Sequence, residues 1–231
     1  MFKISIRENL IHINENIDRA LTKSGRKDKV DLIAVTKTVD LDRIKEAIDC
    51  GVTDIGENKV QELEIKVPLL MDSVNYHMIG YLQTNKVKYI VDKMKLIHSL
   101  DRSSLAIELN KRAKQKDCIA NVLLQVNIAE EESKFGLKVD EVIPFLEEVL
   151  LYENIKIRGL MTIAPNTSDE KLLRGVFSSL YKLKEDILTR HYSELSMDYL
   201  SMGMSNDYQL AIEEGSNLVR VGTGIFGSRN Y

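Results

Sequence analysis

The sequence has few of the features that mark secreted, metal-binding or membrane-spanning proteins. Among its 231 residues there are only two cysteines. Cys50 and Cys118 lie far apart and match no metal or redox spacing, which indicates free thiols in a reducing compartment. No apolar run approaches the ~18 residues of a membrane span, and the N-terminus, MFKISIRENL, lacks the apolar core of a signal peptide. We therefore expect a cytoplasmic protein without a membrane segment.

The charge balance argues against a nucleic-acid partner. Lysine and arginine number 32 against 35 aspartates and glutamates, so the formal net charge is −3, whereas a dedicated nucleic-acid-binding protein carries a strong positive excess. The four histidines stand at no metal-ligand spacing, and we expect no metal site. A hydrophobic content of 44% and a charged content of 29% are ordinary for a globular protein. A chain of this length builds its core without a metal or disulfide.

Short apolar runs alternate along the chain with segments of helical spacing. After a leading polar helix over 3–24, the strand candidates are 31–37, 54–57, 76–80, 95–100, 119–127, 155–163, 199–204 and 217–222. A strand followed by a helix, eight times, predicts parallel strands in a closed (β/α)₈ TIM barrel. An open doubly wound sheet is the alternative. No linker or composition shift divides the chain, so we expect one barrel domain over 1–231, with helix 1–24 packed on the barrel.

Two helix starts carry capping signals. Asp40 precedes an amphipathic stretch that Gly51 is placed to end, which is typical of an N-cap and a C-terminal glycine. Thr167 and Glu170 stand three residues apart before a long helical pattern, which predicts a capping box.

The strand ends predict a site for a phosphorylated carbonyl compound. In barrels of this type the chemistry lies at the C-terminal ends of the strands. Lys37 ends the first strand, where it is either a nucleophile or a lysine that reaches into water. The last strand runs into RVGTG, whose Gly222 and Thr223 stand where such barrels commonly bind phosphate. A tight turn that closes the barrel explains the glycines equally well. A lysine and a phosphate cradle at one mouth favour a Schiff base, either with pyridoxal phosphate as cofactor or with a sugar phosphate as aldolase substrate.

Seven sequence blocks, in this order, resemble the YggS/PROSC family of pyridoxal phosphate homeostasis proteins over nearly the whole length. They are AVTKT (34–38), IGENKVQE (55–62), HMIGYLQTNK (77–86), EESKFGL (131–137), RGLMTIAP (158–165), LSMGMSND (200–207) and VRVGTGIFG (219–227). The family is similar to the barrel domain of alanine racemase standing alone. This chain departs from the family pattern at Tyr81 and Phe135, where histidines are usual, and in the longer and more acidic IAEEES stretch.

The resemblance implies pyridoxal 5′-phosphate as the cofactor, held as an aldimine on Lys37. It assigns Arg220 to the pyridine nitrogen and places Asn58 beside the cofactor. The phosphate is assigned to Ser205, Gly222 and Thr223, with Ser201 nearby. The implied function is buffering of pyridoxal phosphate and its delivery to apo-enzymes that need it, by a monomer without efficient catalysis. A pyridoxal phosphate-dependent amino-acid racemase and a Schiff-base aldolase are the alternatives. The carrier hypothesis is compatible with a slow racemase-like background.

Two features favour a carrier over a racemase. Only eight residues, GIFGSRNY, follow Thr223, so we expect the second β domain of alanine racemase, which supplies a tyrosine base, to be missing. Arg220 stays protonated at ordinary pH and so leaves a facing pyridine nitrogen unprotonated, because two cations repel each other. Lys134, in the loop over 128–136, is either a second aldehyde-reactive lysine or a solvated lysine beside glutamates.

Overall fold

Eight parallel strands close into a barrel in the order in which they occur in the sequence. The computed structural model describes residues 5–131, 134–193 and 195–227. The strands are β1 Asp31–Val35, β2 Asp54–Glu57, β3 Asn75–Met78, β4 Leu96–Leu100, β5 Ala120–Gln125, β6 Ile155–Met161, β7 Tyr199–Ser201 and β8 Leu218–Val221. β1 pairs with both β2 and β8. The predicted barrel is confirmed, and the open doubly wound sheet is wrong.

Helices cover the outside of the barrel. They are α1 Ile6–Ser24, α2 Leu41–Asp49, α3 Val60–Leu70, α4 Ser103–Gln115, α5 Val142–Val149, α6 Glu170–Thr189, α7 Tyr208–Glu213 and α8 Thr223–Phe226, with 3₁₀ segments at Met71–Ser73, Thr84–Tyr89 and Val139–Glu141. The expected helix between β3 and β4 is the short 3₁₀ segment Thr84–Tyr89. Val87 is its only buried side chain, so this connection offers no apolar stripe for a full helix.

The N-terminal helix α1 packs against α7 and α8. Ser5 and Glu8 form a capping box at its start, and Gly25 ends it in the left-handed conformation. Its buried face carries Ile6, Leu10, Ile13, Ile17 and Ala20. The Asn9 amide also donates to the carbonyl of Ile225 in α8, at 2.9 Å. This helix therefore supports the outer side of the segment that follows β8. The predicted start of the helix at residue 3 lies outside the described residues.

The two predicted caps have different outcomes. Asp40 caps α2, and its carboxylate accepts from the backbone amide of Arg43. The capping box of Thr167 with Glu170 is wrong, because Asp169 is the N-cap of α6 and accepts from the amide of Leu172. The Thr167 hydroxyl accepts instead from the amide of Asp169, at 3.1 Å. Aspartate is the stronger N-cap, and it stands directly before the first helical residue.

The core has two parts, and the smaller one fills the barrel. The larger cluster lies between strands and helices. A separate cluster contains Ile33, Leu96, Leu123, Met161 and Leu218, each from a different strand, and therefore marks the barrel interior. Side chains alternate along a strand, so residues at even spacing from these also face inward. By this rule His98 and Arg220 point into the barrel.

Candidate functional site

Lys37 lies in the turn that ends β1 and is half-buried. The turn is held to the barrel on its N-terminal side, where the amide of Thr36 donates to the carbonyl of Gly56 at 3.1 Å. The turn is closed by an internal hydrogen bond, in which the amide of Val39 donates to the carbonyl of Thr36 at 3.0 Å. Thr38 has a φ of 61°, in the left-handed region that a β-branched residue rarely adopts. A turn in this strained conformation requires strong support from its surroundings.

A buried lysine of α3 supplies that support from outside the barrel. The ammonium of Lys66 donates to the carbonyl of Thr36 at 2.8 Å. It also donates to Glu57 at 2.5 Å and to Glu62 at 2.9 Å. The hydroxyl of Thr36 donates to the same Glu57 oxygen at 2.5 Å. The ammonium of Lys66 and the carboxyl group of Glu57 are therefore bonded directly to Thr36, the residue before Lys37.

The same cluster reaches the residue after Lys37. The carboxylate of Glu62 accepts from the backbone amide of Thr38 at 2.8 Å, through the oxygen that also accepts from Lys66. Both flanks of Lys37 are thus bonded to carboxylates that share one buried ammonium. We call Glu57, Glu62 and Lys66 the turn clamp. Because it fixes the backbone on both sides, it limits the directions in which Lys37 points.

Glu57 is the most perturbed acid of the turn clamp. Its side chain is fully buried, and its Oε2 has no hydrogen-bond partner among the described residues. Burial raises the pKa of Glu57 to about 7, against the opposing effect of hydrogen bonds from Lys66 and Thr36. The folded protein thus holds a proton on this carboxyl that the unfolded chain releases near its ordinary pKa of 4.5.

This raised pKa predicts an unusual dependence of stability on pH. The contribution of Glu57 to the unfolding free energy is fully present below about pH 4.5 and is lost as the pH rises through about 7. The loss is about 2–3 kcal/mol. In Glu57→Gln this component is absent, so urea unfolding between pH 5 and pH 8 shows a smaller decline with rising pH than in the unaltered protein. Glu64→Gln, at an exposed position of α3, is the control. Equal pH dependence in all three proteins contradicts the prediction.

Arg220 of β8 lies buried in the barrel. Its guanidinium donates to the hydroxyl of Ser201 and, at 2.9 Å, to the carbonyl of Thr162. These bonds use two of the five N–H groups of an arginine. Burial lowers the pKa of Arg220 to about 10, while the charge of Asp207 acts in the opposite direction. Arg220 therefore remains a cation at neutral pH.

Two backbone amides after β8 converge on the hydroxyl of Ser205. Gly222 and Gly224 each donate to Ser205 Oγ at 3.2 Å, and the exposed Thr223 lies between them. A Cβ added at Gly222 would stand 3.3 Å from Cβ of Val35, so this turn lies directly against the end of β1. Converging amides and hydroxyls are typical of a site for an anion. We call the amides of Gly222 and Gly224, together with the Ser205 hydroxyl, the cradle. The cradle and the Lys37 turn are therefore neighbours across the seam between β1 and β8.

Asn58 follows β2 and is half-buried at the mouth. The loop after β3 presses on its backbone, because a Cβ added at Gly80 would stand 2.5 Å from the carbonyl oxygen of Asn58. Only glycine permits this approach without a shift of the backbone. The loop after β3 thus covers one side of Asn58.

The structure places all the predicted site residues at the C-terminal ends of β1, β2, β7 and β8. They are Lys37, Asn58, Ser201, Ser205, Arg220, Gly222 and Thr223. Ser201 differs from the others in its surroundings, since its hydroxyl is buried between Arg220 and His98. The contacts of these residues with a ligand stay a prediction.

Sequence reasoning missed several residues that shape the site. For the turn clamp the sequence contains one indication, the i, i+4 spacing of Glu62 and Lys66 on α3, which is typical of an ion pair. The RVGTG stretch contains Gly224, so its backbone amide could have been predicted from the sequence as a further phosphate donor. Nothing in the local sequence pattern indicates that His77 and His98 bond to each other.

Two aromatic residues stack at the rim of the barrel. The rings of Tyr81 and Phe135 lie 4.3 Å apart between centroids, with 29° between their planes. The guanidinium of Arg102 lies over the Tyr81 ring at 4.4 Å. Tyr81 and Phe135 are the two positions at which the chain departs from the family pattern. The stack shows that these replacements contact each other and join the loops after β3 and β5.

Lys134, the second candidate lysine, is a partnered residue of the loop after β5. Its ammonium donates to Glu131 at 2.8 Å and to the carbonyl of Ala164 at 3.0 Å. Residues 132 and 133 of the predicted 128–136 loop lie outside the described residues. The ion pair favours a structural contact between this loop and the segment after β6 over a reactive amine.

Within the described residues, no helix is both long and apolar enough to span a membrane. The same ranges contain no group of three or more histidine, cysteine, aspartate or glutamate side chains that could hold a metal ion. Cys50 and Cys118 are half-buried free cysteines.

Comparison with known sequences shows similarity over nearly the whole chain. The family model for the alanine racemase N-terminal domain matches residues 9–230. A pyridoxal phosphate homeostasis protein of Aquifex aeolicus (strain VF5) is 42% identical over 226 residues, which cover 97% of this chain and 98% of that protein.

Two solved structures show the same architecture. PipY of Synechococcus elongatus PCC7942, determined with PLP bound, matches with a TM-score of 0.84 and 31% identity over 96% of this chain and 100% of PipY. The alanine racemase of Clostridium difficile 630 matches with a TM-score of 0.77 and 15% identity, over 98% of this chain and 57% of the racemase. The likeness to the racemase is one of fold alone.

Proposed function

The chain belongs to the family of pyridoxal phosphate homeostasis proteins, and from this premise we propose that it binds pyridoxal 5′-phosphate at the barrel mouth and buffers its free level. One observation carries the proposal. A lysine turn and a cradle of converging amides lie side by side across the seam between β1 and β8, above a buried arginine. A primary amine, an anion cradle and a cation match the aldehyde, phosphate and ring of this one cofactor.

The donors present fit the group. Gly222, Gly224 and Ser205 offer N–H and O–H groups to the phosphate, and the exposed hydroxyl of Thr223 is placed to join them. Arg220 has N–H groups left over after its bonds to Ser201 and Thr162, and these are assigned to the pyridine nitrogen. The Arg220 assignment leaves its bonds to Ser201 and Thr162 in place, whereas a phosphate would replace the Ser205 oxygen as the acceptor of the Gly222 and Gly224 amides.

Covalent attachment falls to Lys37. When bound, the cofactor supplies an aldehyde that condenses with primary amines. The Nζ of Lys37 attacks the aldehyde carbon, the C=N bond forms, and the carbonyl oxygen leaves as one water molecule. Water or a competing amine reverses the bond and releases the cofactor, so Lys37 sets both retention and delivery. The turn clamp keeps the backbone on both sides of Lys37 fixed during these exchanges.

Arg220 explains why the site suits a carrier. A buried cation facing the ring nitrogen leaves that nitrogen unprotonated, because protonation would place two positive charges in contact. An unprotonated ring is a weak electron sink for carbanions. The site therefore holds the aldehyde without strongly activating bound amino acids. The recipients we propose are apo-enzymes that require the cofactor. We further propose that the protein acts as a monomer in the cytoplasm, a reducing compartment that its free cysteines suit.

The experiment that separates this proposal from the enzyme alternatives is a search for turnover. We expect the loaded protein, incubated with L-alanine and other amino acids in deuterated water, to exchange the Cα hydrogen far below ordinary enzyme rates, whose median kcat is ~10 s⁻¹. A missing acid–base group costs ~10²–10⁴-fold, and the weak electron sink lowers the rate further. Exchange and D-isomer are followed by NMR and chiral chromatography, with an alanine racemase as the positive control. Turnover at enzyme rates supports a racemase, and cleavage of sugar phosphates supports an aldolase.

A further inference from the structure

A continuous hydrogen-bonded chain of buried side chains crosses the barrel from the mouth to the opposite end. Its members, in order, are Arg220, Ser201, His98, His77 and Asp54. His98 Nδ1 lies 3.0 Å from Ser201 Oγ, and His98 Nε2 lies 3.0 Å from His77 Nδ1. His77 Nε2 lies 2.9 Å from Asp54 Oδ1. We call this the interior chain. It links the cation at the mouth to a carboxylate at the start of β2.

The far end of the interior chain is a carboxylate anion. Burial alone raises the pKa of Asp54, but hydrogen bonds from His77, Lys95 and Thr53 outweigh burial and lower it below the ordinary value. Lys95 donates to Asp54 Oδ1 at 2.7 Å, and the hydroxyl of Thr53 donates to Oδ2 at 2.7 Å. Asp54 is therefore ionised at neutral pH and only accepts hydrogen bonds.

The two fixed ends determine the direction of every bond between them. Asp54 accepts, so His77 donates from Nε2, and a neutral His77 then accepts at Nδ1. His98 must therefore donate from Nε2 and, when neutral, accept at Nδ1 from the hydroxyl of Ser201. Ser201 Oγ in turn accepts from Arg220, which only donates. One assignment, with both imidazoles carrying the proton on Nε2, satisfies the whole chain.

The surroundings of the rings support their neutral form. Burial lowers the pKa of His98 well below its ordinary value, and the positive charge of Arg220 acts in the same direction. Burial also lowers the pKa of His77, although Asp54 opposes the shift. Each ring then donates once and accepts once, so every bond points from Arg220 toward Asp54. Such an aligned chain is polarised by the charges at its ends, which strengthens each bond in it.

We propose that Ser201, His98, His77 and Asp54 are positioning residues that hold Arg220 toward the cofactor ring, an inference that rests on the proposed function. Among the described residues, no carboxylate forms an ion pair with Arg220. A carboxylate in direct contact would compete with the ring nitrogen for the N–H groups of the guanidinium. The interior chain avoids this competition. It makes Ser201 a stronger acceptor while Asp54 stays at the far end of the barrel, and Asp207, whose charge also acts on Arg220, forms no ion pair with it.

The first test reads the interior chain in the protein without cofactor. In protein labelled with ¹⁵N-histidine, we expect His77 and His98 to be neutral, with the proton on Nε2, from pH 6 to pH 9. In Ser201→Ala the Nδ1 shift of His98 changes because its donor is lost. In Ser99→Ala, which removes from β4 a buried hydroxyl that has no hydrogen-bond partner among the described residues, both rings keep their shifts. A charged ring or an Nδ1–H tautomer overturns the proposed direction of the chain.

The second test isolates the contact between Arg220 and the ring nitrogen. The unaltered protein and its variants are titrated with pyridoxal 5′-phosphate and with 1-deazapyridoxal 5′-phosphate, in which C–H replaces the ring nitrogen. His98→Phe interrupts the interior chain and is expected to weaken binding of pyridoxal phosphate about tenfold, the equivalent of one charged hydrogen bond. Binding of the deaza compound changes much less. Asp54→Asn, which removes the charge but keeps an acceptor, gives a smaller loss, and Ser99→Ala gives none.

The outcomes separate three interpretations. An equal loss of affinity for both compounds in His98→Phe indicates a purely structural role and overturns the positioning role, as does unchanged binding of pyridoxal phosphate. Ser201→Ala provides the same comparison if His98→Phe does not fold. Failure of the unaltered protein to bind either compound instead overturns the proposed function itself.

Discussion

Lys37→Ala is expected to abolish covalent binding of pyridoxal 5′-phosphate while leaving the protein folded. Lys37 stands at the end of β1, beside the amide cradle, and its side chain is half-buried at the mouth instead of packed in the core. Removing the amine deletes the only atom able to form the C=N bond at this position. The fold is carried by the two apolar clusters, of which Lys37 is not a member.

The measurement is the absorption spectrum of the loaded protein before and after borohydride reduction, followed by peptide mapping. We expect the reduced pyridoxyl mass on the peptide that contains Lys37, and no such mass in Lys37→Ala. Lys134→Ala is the matched control, because it removes another mouth-side lysine that is tied to Glu131 and to a backbone carbonyl. A label found mainly on Lys134 contradicts the assignment. Urea unfolding of both variants verifies that neither result reflects a loss of structure.

The second large effect concerns the phosphate. Pyridoxal without phosphate is expected to bind at least ~100-fold more weakly than pyridoxal 5′-phosphate, because hydrogen bonds to a charged group contribute about 1.5–3 kcal/mol each. The amides of Gly222 and Gly224 already converge on one acceptor, the Ser205 hydroxyl oxygen, so a phosphate that replaces this oxygen meets two N–H groups held in one direction. Equilibrium titration of the unaltered protein with both compounds measures the difference. Equal affinities would show that the cradle is only a turn that closes the barrel.

A side-chain variant tests the same cradle without changing the ligand. Thr223→Ala removes a hydroxyl but keeps the backbone amides, and we expect about tenfold weaker binding of pyridoxal phosphate with unchanged binding of pyridoxal. Thr189→Ala is the control, because Thr189 is exposed and its hydroxyl bonds only within the end of α6. A matching loss of affinity for pyridoxal in Thr223→Ala would indicate general damage to the mouth instead of a lost phosphate contact.

Local patterns in the sequence predicted the strands and the residues at their ends. The run from Asp31 to Val35 and the run from Leu218 to Val221 are short, apolar and bounded by polar residues, which is sufficient to place a strand. Because parallel strands share one orientation, Lys37 and the RVGTG stretch were expected at the same mouth before any coordinates. The segment Thr84–Tyr89 was harder, since a weak helical spacing does not distinguish a full helix from a 3₁₀ turn.

Local sequence patterns could not predict which polar side chains of the barrel bond to one another. Lys66 contacts Glu57 because α3 folds back over the end of β2. In the turn clamp, only the contact between Glu62 and Lys66 could be predicted from the sequence, through their i, i+4 spacing. Ser201 and His98 are 103 residues apart, and no local period relates them. The same holds for His77 and His98, which meet because β3 and β4 are neighbours in register.

The role of Arg220 was implied only by the resemblance to the family. The sequence by itself determined the alternation of strands and helices and the end of the barrel at which Lys37 and the RVGTG stretch lie. These depend on spacings of two to four residues, which the backbone geometry of strands and helices imposes locally. Closure of the barrel decided the rest. It set which inward-facing polar groups stand within 3 Å of one another, and so placed an anion, Asp54, behind the cation at the mouth. Hydrogen bonds require distance and direction in three dimensions, and only the assembled barrel supplies both.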